Sequence, residues 1–297
     1  MEQNKKVEYN EEISRLLGAL ENNNAVIKNS LWERYLDKPV SIEREEEIYG
    51  YFLTHSIVST AVMANAGTSM LTEFLYDSPP SPFFPIDDYF LSSKGGRAIK
   101  SRLTAIENKL PEIIEEHRAK GEVFIGNLGS GPGRDVIDVF SSHYKKSSDI
   151  KAVHIDRDAT ALKRGKRMAV IKKVDHLIDF IGVNFIKYEP TKKFDIILLI
   201  GILCGLESDV CIRVLKSIRR LIKKDGTIIA GNVSKKMLKE DPFTYFLMEW
   251  VGNWKLVFKS EEELKQIFEK AGYKWRSCFT DSYGFHIMGI GTPKFYF

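Results

Sequence analysis

A short glycine-rich stretch, Glu122–Asp135, restricts the local fold more than any other part of the chain. It has the sequence EVFIGNLGSGPGRD. The apolar residues at its start are typical of a buried strand, the glycines then end that strand, and apolar residues return at helical spacing from Val136. Glycine permits a positive φ and lets a ligand approach the backbone closely. A strand, a glycine turn and a helix in direct succession predict the first unit of a βαβ nucleotide-binding fold. The first N–H groups of its helix suit a polar or anionic ligand group.

The spacing of the glycines separates two kinds of nucleotide site. Gly129, Gly131 and Gly133 form the pattern G-x-G-x-G, whereas a dinucleotide fingerprint is G-x-G-x-x-G. Arg134 stands where the third glycine of that fingerprint belongs, and Pro132 has no N–H to donate to a pyrophosphate. The spacing therefore argues against a nicotinamide-dependent dehydrogenase, which remains an alternative at the level of the fold.

An acidic residue follows at the distance expected of a ribose-binding group. Residues 150–156 predict a second strand that ends in Asp156, about 20 residues after Gly133. A role as N-cap of the helix that opens near Ala159 is the competing interpretation. Asp158 lies closer to that helix and is the better cap, so we expect Asp156 to bind the ribose hydroxyls.

From residue 121 onward, strand and helix patterns alternate. Strands are predicted near 122–128, 150–156, 178–184, 194–200, 226–232, 273–279 and 283–291, and helices near 134–143, 159–172 and 207–223. This alternation predicts an α/β fold, a doubly wound and mostly parallel sheet with helices on both faces. Because ligands of such sheets bind at the carboxyl ends of the strands, we expect the site at Asp156, Asn184, Ile200, Gly201 and Asn232.

The first 120 residues contain no strand-like alternation. Apolar residues recur at helical spacing near 11–20, 30–36 and 42–75, the prolines of 77–82 then force an extended segment, and one more helix is predicted over 92–110. We expect residues 1–118 to form a helical extension or cap, and residues 119–297 to form the nucleotide-binding domain.

The order of these motifs resembles that of the class I S-adenosylmethionine-dependent methyltransferases. LGSGPGRD is similar to the glycine motif of that superfamily, VHIDRD to its ribose-binding acid, FDIILLIGILCGL at 194–206 to its fourth-strand motif, and KKDGTIIAGN at 223–232 to its turn into the fifth strand. The resemblance covers roughly residues 120–292. It implies a Rossmann-like sheet of seven strands with an antiparallel last hairpin. It also implies S-adenosyl-L-methionine as cofactor and S-adenosyl-L-homocysteine as product.

The resemblance further implies which residues bind the cofactor: Gly129, Ser130, Gly131, Gly133, Asp156, Arg157, Asn184, Phe185, Ile200 and Gly201. Two positions depart from the superfamily pattern. Asn127 replaces the acid that often ends the first strand, and Cys204-Gly205 replaces a polar pair. The catalytic residue stays unknown, because the second departure removes the position from which one would be carried over.

An aromatic insertion, 234–259, follows the fifth predicted strand. GNVS followed by FTYFLMEWVGNWKLVFKSEEEL, together with SSKGGRAIKSRL at 92–103, resembles a subgroup that includes enzymes making methyl esters of 3-hydroxy fatty acids. The insertion either folds over the cleft as an apolar wall or packs as a plain helix on the sheet edge. Candidate residues for binding the methyl acceptor are Arg97, Asn232, Trp250, Tyr283 and His286, with Asp281 beside the last two.

The predicted strand ends offer no base for a neutral acceptor. Cys204-Gly205 is apolar and the Asn232 amide takes no proton at neutral pH, whereas a carboxylate is a nucleophile without a base. The sequence therefore predicts a methyltransferase that acts on a small molecule, a hydroxy or fatty acid carboxylate, with Arg97 or another basic residue of 92–103 as its partner.

Two other functions remain open. Basic residues on the predicted helices 159–172 and 207–223 fit an RNA or protein methyltransferase, although a solvated helix face has the same pattern. A nonenzymatic S-adenosylmethionine-binding protein is the third alternative, because the polar pair at Cys204-Gly205 is missing.

Composition limits the partners. The chain of 297 residues has a net charge of +4 and a pI of 8.7, which suits an anionic small molecule and falls short of a nucleic-acid-binding surface. Cys204, Cys211 and Cys278 form no paired motif, so we expect reduced thiols in a cytoplasmic protein and no metal site. The N-terminus has no apolar signal pattern, and the longest apolar run, 196–206, is too short to cross a bilayer. The oligomeric state does not follow from the sequence.

Overall fold

The computed structural model describes residues 49–50, 52–54, 56–77, 85–241, 244–245 and 247–294. The chain divides into two compact units. The first combines the residues up to Lys100 with Lys236–Leu256, and the second contains Ser101–Lys235 together with the residues from Val257 onward. The helices predicted before residue 49 and the proline segment predicted at 77–82 lie outside the described residues, apart from Asp77. The domain boundary expected after residue 118 stays a prediction.

In the first unit, the described residues are mainly helical. The helices are α1 (Ile57–Asn65), α2 (Ser69–Asp77), α3 (Pro85–Ser92) and the start of α4 (Lys94–Arg118). Asp87 of α3 holds the start of α1, because its carboxylate accepts hydrogen bonds from the Ser56 hydroxyl (2.5 Å) and from the N–H groups of Ile57 (2.9 Å) and Val58 (3.1 Å). Burial raises the pKa of this carboxyl group.

Part of the aromatic insertion packs within this first unit. The buried Asp241 carboxylate accepts a hydrogen bond from the N–H of Gly95 (2.6 Å) at the start of α4, and others from the N–H and the hydroxyl of Thr244 (both 3.1 Å). A side chain at Gly95 would overlap Thr244, so glycine is required at this close approach. Asp241 and Thr244 therefore pack against the start of α4.

Within the described residues, the second unit is built on a seven-stranded sheet. The strands are β1 (Val123–Leu128), β2 (Ile150–Asp156), β3 (Ile178–Gly182), β4 (Phe194–Leu199), β5 (Ile222–Val233), β6 (Tyr273–Thr280) and β7 (His286–Pro293). Their order is β3-β2-β1-β4-β5-β7-β6, and all pairs are parallel except those that β7 makes with β5 and β6. The predicted α/β class is confirmed, as are the seven strands and the antiparallel last hairpin. The strand order reverses between β1 and β4, where ligands bind in folds of this kind.

Helices cover both faces of this sheet. After α4 they are α5 (Arg134–Val139, followed by a π turn at Phe140–Tyr144), α6 (Ala159–Lys172), α7 (Ser208–Ile218) and, after the insertion, α9 (Glu261–Lys270). The short helix α8 (Lys235–Glu240) lies in the insertion, and its residues from Lys236 onward belong to the first unit. On one face, Ile114 of α4, Val136 of α5 and Ala169 of α6 are buried against the strands. On the other face, Leu215 of α7 and Phe268 of α9 are buried. These two apolar layers bury both faces of the sheet and so fix the positions of the strand ends.

Candidate cofactor and acceptor site

The glycine loop connects β1 to α5. Gly129, Gly131 and Gly133 have φ values of 63°, 54° and 75°, a conformation that residues with a Cβ rarely adopt. The N–H groups of Gly129 (2.8 Å) and Ser130 (3.3 Å) both donate to the carbonyl oxygen of Ile155 on β2, and the N–H of Gly133 donates to the carbonyl oxygen of Ser130 (2.9 Å). Backbone hydrogen bonds thus hold the loop against the end of β2.

Asp156 ends β2 and binds the same loop. One of its carboxylate oxygens accepts a hydrogen bond from the N–H of Gly131 (2.7 Å), and the other accepts one from the N–H of Asp158 (2.9 Å). A carboxylate has about four acceptor positions, so Asp156 keeps capacity for two hydroxyl donors. Asp158 is the N-cap of α6, as predicted, and accepts hydrogen bonds from Thr160 (2.8 Å) and Ala161 (3.1 Å).

The glycine loop packs closely against β2 and α6. A side chain at Gly133 would overlap the ring of His154, which is fully buried and packs edge-on against Phe180 with ring centroids 5.0 Å apart. A side chain at Gly165 of α6 would overlap the carbonyl group of Pro132. The loop conformation is therefore held by packing as well as by hydrogen bonds.

The segments after β3 and β4 border the loop with apolar side chains. Asn184 caps a short 3₁₀ turn, Phe185–Lys187, by accepting a hydrogen bond from the N–H of Ile186 (3.0 Å). A Cβ at Gly129 would lie 3.7 Å from Cε1 of Phe185 and would overlap Ile202, so both side chains lie beside the loop. The glycine loop therefore has two apolar side chains as neighbours, one from the segment after β3 and one from the segment after β4.

A small cavity, with room for about one water molecule, lies at the carboxyl ends of β4 and β5 and the start of β7 and is called the cleft below. Its lining includes Ile200, Cys204, Asn232, His286 and the α4 residue Arg102. Burial raises the pKa of the Cys204 thiol, so this group stays protonated at neutral pH. The guanidinium of Arg102 supplies positive charge to the cleft.

His286 is hydrogen-bonded to a buried carboxylate. Asp281 accepts hydrogen bonds from the backbone N–H of His286 (2.5 Å), from its ring Nδ1 (3.2 Å) and from the N–H of Tyr283 (2.8 Å). Burial alone would raise the pKa of Asp281, but these hydrogen bonds outweigh it and lower the pKa. Burial lowers the pKa of His286, against the opposing effect of Asp281. At neutral pH the pair is therefore a carboxylate and a neutral imidazole.

Asn232 is tied to the chain that returns from the insertion. Its amide nitrogen donates to the carbonyl oxygens of Val233 (2.8 Å) and Val257 (3.0 Å), and its oxygen accepts a hydrogen bond from the buried Lys259 ammonium (3.2 Å). The same ammonium donates to the carbonyl oxygens of Leu203 (3.3 Å), Leu206 (2.9 Å) and Val257 (3.2 Å). Lys259 thus joins the turn after β4 to the end of β5.

The structure brings all ten predicted cofactor residues to the ends of four neighbouring strands. The glycine loop, Asp156 and the exposed Arg157 lie at β1 and β2, Asn184 and Phe185 follow β3, and Ile200 and Gly201 follow β4. Their roles in binding remain predictions.

The predicted acceptor residues are less closely grouped. Asn232 and His286 line the cleft. Tyr283 lies in the turn between β6 and β7, with its ring centroid 6.2 Å from that of Phe285. Arg97 is exposed on the part of α4 that belongs to the first unit, and the Trp250 side chain lies outside the described residues.

Arg102 was not among the residues predicted individually. It lies in the basic segment 92–103, where a partner for an acidic acceptor is expected, and it is the arginine of that segment found in the cleft lining. The pairing of Asp281 with His286 also needed the structure. Its only sequence signal is the nearness of the two residues in the last predicted hairpin.

Two negative findings apply to the described part of the chain. It contains no cluster of three or more His, Cys, Asp or Glu side chains that could hold a metal ion. It also contains no helix with both the length and the apolar composition needed to cross a membrane.

Comparison with known proteins identifies the family. A family model described as a methyltransferase domain matches residues 121–272, which is slightly more than half of the chain. No curated protein matches the chain significantly in sequence.

Solved structures share the fold at low sequence identity. A possible exported protein from Bordetella parapertussis is 14% identical over 87% of this chain and 91% of that chain, with a TM-score of 0.70. Magnesium protoporphyrin IX methyltransferase from Synechocystis PCC 6803 with bound SAM is 8% identical over 86% of this chain and 100% of that chain, with a TM-score of 0.54. The pyocyanin biosynthetic protein PhzM is 14% identical over 87% of this chain and 74% of that chain, with a TM-score of 0.53.

The matched family segment contains the glycine loop, Asp156 and strands β1 to β5. Sequence motifs, strand order and family match therefore agree, and the chain belongs to this family of methyltransferase domains, within the class I S-adenosylmethionine-dependent methyltransferase superfamily.

Proposed function

We propose that the protein transfers a methyl group from S-adenosyl-L-methionine to a small-molecule acceptor, with S-adenosyl-L-homocysteine as the product. The observation that carries the proposal is the hydrogen bond between the Asp156 carboxylate and the N–H of Gly131 in the glycine loop. This carboxylate orders Gly131 and retains acceptor capacity for a pair of ribose hydroxyls. When bound, the cofactor supplies an activated methyl group on a sulfonium, and the protein contributes positioning and exclusion of water.

The residues around this hydrogen bond suit a nucleoside with an amino-acid tail. Asp156 accepts the ribose hydroxyls, the open backbone of Gly129–Gly133 admits close approach, and Phe185 beside Gly129 offers an apolar contact for a flat ring. Ser130, Arg157 and Asn184 add polar groups after β1, β2 and β3. Ile200 and Gly201, which follow β4, also line the acceptor cleft. The bound SAM and SAH in the structures of the Synechocystis methyltransferase support the same assignment.

For the acceptor we propose an acidic small molecule of the hydroxy or fatty acid type. Arg102 lines the cleft next to Asn232 and His286, and a guanidinium is well suited to hold a carboxylate. The similar structures include a mitomycin 7-O-methyltransferase at a TM-score of 0.51, which favours small molecules in general. A cytoplasmic location remains a prediction from the cysteine content.

The two other candidate functions differ from this proposal in measurable ways. Lys163, Lys166 and Arg167 on α6 are exposed, as an RNA-binding face requires. Such a face would bind RNA with a strong dependence on salt concentration. A nonenzymatic binding protein would retain S-adenosylmethionine and convert none of it in the presence of a cell extract.

Calorimetric titration with S-adenosylhomocysteine and, in parallel, with NAD tests the proposed cofactor site. We expect saturable binding of the first ligand alone. Asp156→Asn should weaken this binding by about 10-fold or more, because a hydrogen bond to a charged group contributes about 1.5–3 kcal/mol. Asp158→Asn is the matched control, since this neighbouring acid caps α6 and should leave the affinity unchanged. Binding of NAD alone would return the chain to the dehydrogenase interpretation.

A further inference from the structure

We propose that His286, oriented by Asp281, is the general base of the methyl transfer, and that the methylated group is therefore a hydroxyl of the acceptor. The proposal rests on the proposed function and selects the reacting atom. The acceptor oxygen forms a bond to the methyl carbon, the carbon–sulfur bond breaks with its electron pair left on sulfur, and the hydroxyl proton passes to Nε2 of His286 and then to water. A carboxylate acceptor would need no such base.

The hydrogen bond to Asp281 determines which ring nitrogen of His286 is available. The Asp281 side chain is fully buried and, as a carboxylate, can only accept hydrogen bonds. Nδ1 lies 3.2 Å from its Oδ2 and must carry the proton, which leaves the lone pair on Nε2. Among the described residues, Nε2 has no hydrogen-bond partner, and His286 lines the cleft.

Closure of the turn between β6 and β7 does not account for the histidine side chain. Asp281 closes this turn by accepting from the backbone N–H groups of Tyr283 and His286, and the N–H of Gly284 donates to the carbonyl oxygen of Asp281 (3.0 Å). Any residue other than proline at position 286 would supply the same backbone donor. The imidazole adds a group that can exchange a proton, placed where the acceptor is expected.

The charges around His286 suit a base that becomes active when the acceptor binds. Asp281 faces it from the turn, Arg102 from α4 and the protonated Cys204 from the segment after β4. Burial and the Arg102 charge keep the imidazole neutral, and Asp281 stabilises the imidazolium. An acceptor carboxylate near Arg102 would weaken the effect of the Arg102 charge on His286 and so raise the pKa of the imidazole. The chemistry of Arg102 and His286 thus favours an acceptor with both an acid group and a hydroxyl.

Nitrogen-15 NMR of the histidine-labelled full chain with bound S-adenosylhomocysteine tests the orientation without an acceptor. The His286→Asn variant identifies the signal by its loss. We expect His286 at pH 7.5 to be neutral, with the proton on Nδ1. A proton on Nε2, or a fully charged ring, would overturn the proposal whatever the acceptor is.

Methyl transfer from labelled S-adenosylmethionine to 3-hydroxydecanoate, with decanoate in parallel, tests the chemistry. We expect the wild type to methylate the hydroxyl of the first acid, and His286→Asn to lower kcat/KM about 100-fold or more with loss of the acid limb of the pH profile. His143→Asn, a change at an exposed histidine, should alter neither.

The controls separate failure of the inference from failure of the proposed function. If the His286→Asn variant binds S-adenosylhomocysteine with the affinity of the wild type, the variant is folded. If the wild type does not bind S-adenosylhomocysteine at all, the proposed function itself is refuted. Ester formation on decanoate at equal rates in wild type and variant would overturn the role of His286 alone.

Discussion

His154 is a buried imidazole beneath the glycine loop, and its protonation opposes folding. Burial lowers its pKa to about 3, whereas a histidine in the unfolded chain titrates near 6.5. Between these pH values the unfolded state binds more protons than the folded state. His154 therefore does not reduce the free energy of unfolding above about pH 6.5, and below it reduces this free energy by up to about 1.4 kcal/mol per pH unit.

We therefore expect His154→Leu to reduce the acid sensitivity of folding. Between pH 7.5 and pH 5, urea unfolding should show a loss of stability that is about 2 kcal/mol smaller in this variant than in the wild type. The exposed His176 provides the control, since His176→Gln should leave the loss unchanged. Equal acid sensitivity in wild type and His154→Leu would show that His154 is protonated without cost in the folded state.

At the scale of single residues, the sequence predicted the N-cap of α6, because a helix cap depends on local chain geometry. Asp158 could be distinguished from Asp156 as the cap, because it lies closer in the sequence to the start of α6. Arg102 could not be separated from Arg97, because the two lie five residues apart and therefore about 140° apart around a helix, and only the packing of α4 decides which side faces the cleft. The position of His286 depends on the antiparallel register of β5 and β7, which places it opposite Val233.

Lys259 connects three elements and provides a prediction at their scale. Its buried ammonium donates to the carbonyl oxygens of Leu203 and Leu206 after β4 and to the Asn232 side chain on β5. In Lys259→Met these acceptors lose their donor at about 1–3 kcal/mol each, partly offset because no ammonium is desolvated.

We expect a net loss of about 2–4 kcal/mol in the free energy of unfolding of Lys259→Met, measured by denaturant titration. Lys270→Met at the exposed end of α9 is the matched control and should change stability by less than about 0.5 kcal/mol. A neutral Lys259→Met would show that the turn after β4 is held by its other contacts.

Element bounds were predictable where one pattern continued without interruption. β2 and α6 have the predicted bounds, because a buried strand and an amphipathic helix each have a clear period. The predicted helix at 207–223 was too long, since α7 ends at Ile218 and β5 already begins at Ile222. The charged residues that follow Ile222 are not typical of a buried strand, so the pattern did not predict where β5 begins. In the structure, Ile222 pairs with Phe194, and Lys223 forms an ion pair with Asp195 (2.7 Å).

At the scale of the whole molecule, the proposed cofactor residues all belong to the second unit. They lie at 129–133, 156–157, 184–185 and 200–201, within Ser101–Lys235. A ligand that binds only the folded state stabilises it by about 2.7 kcal/mol at 100 times its dissociation constant. The division into two units therefore determines where the effect of the cofactor should be observed.

We expect S-adenosylhomocysteine to slow amide hydrogen exchange in the glycine loop and at the end of β2, and to leave the exchange of α1 and α2 in the first unit unchanged. Hydrogen exchange read by mass spectrometry measures both units in the same sample. NAD should slow neither, and Asp156→Asn should abolish the effect at the same ligand concentration. Equal slowing in α1 and α2 would instead mean that the first unit takes part in cofactor binding, so that the helical residues before β1 are part of the site.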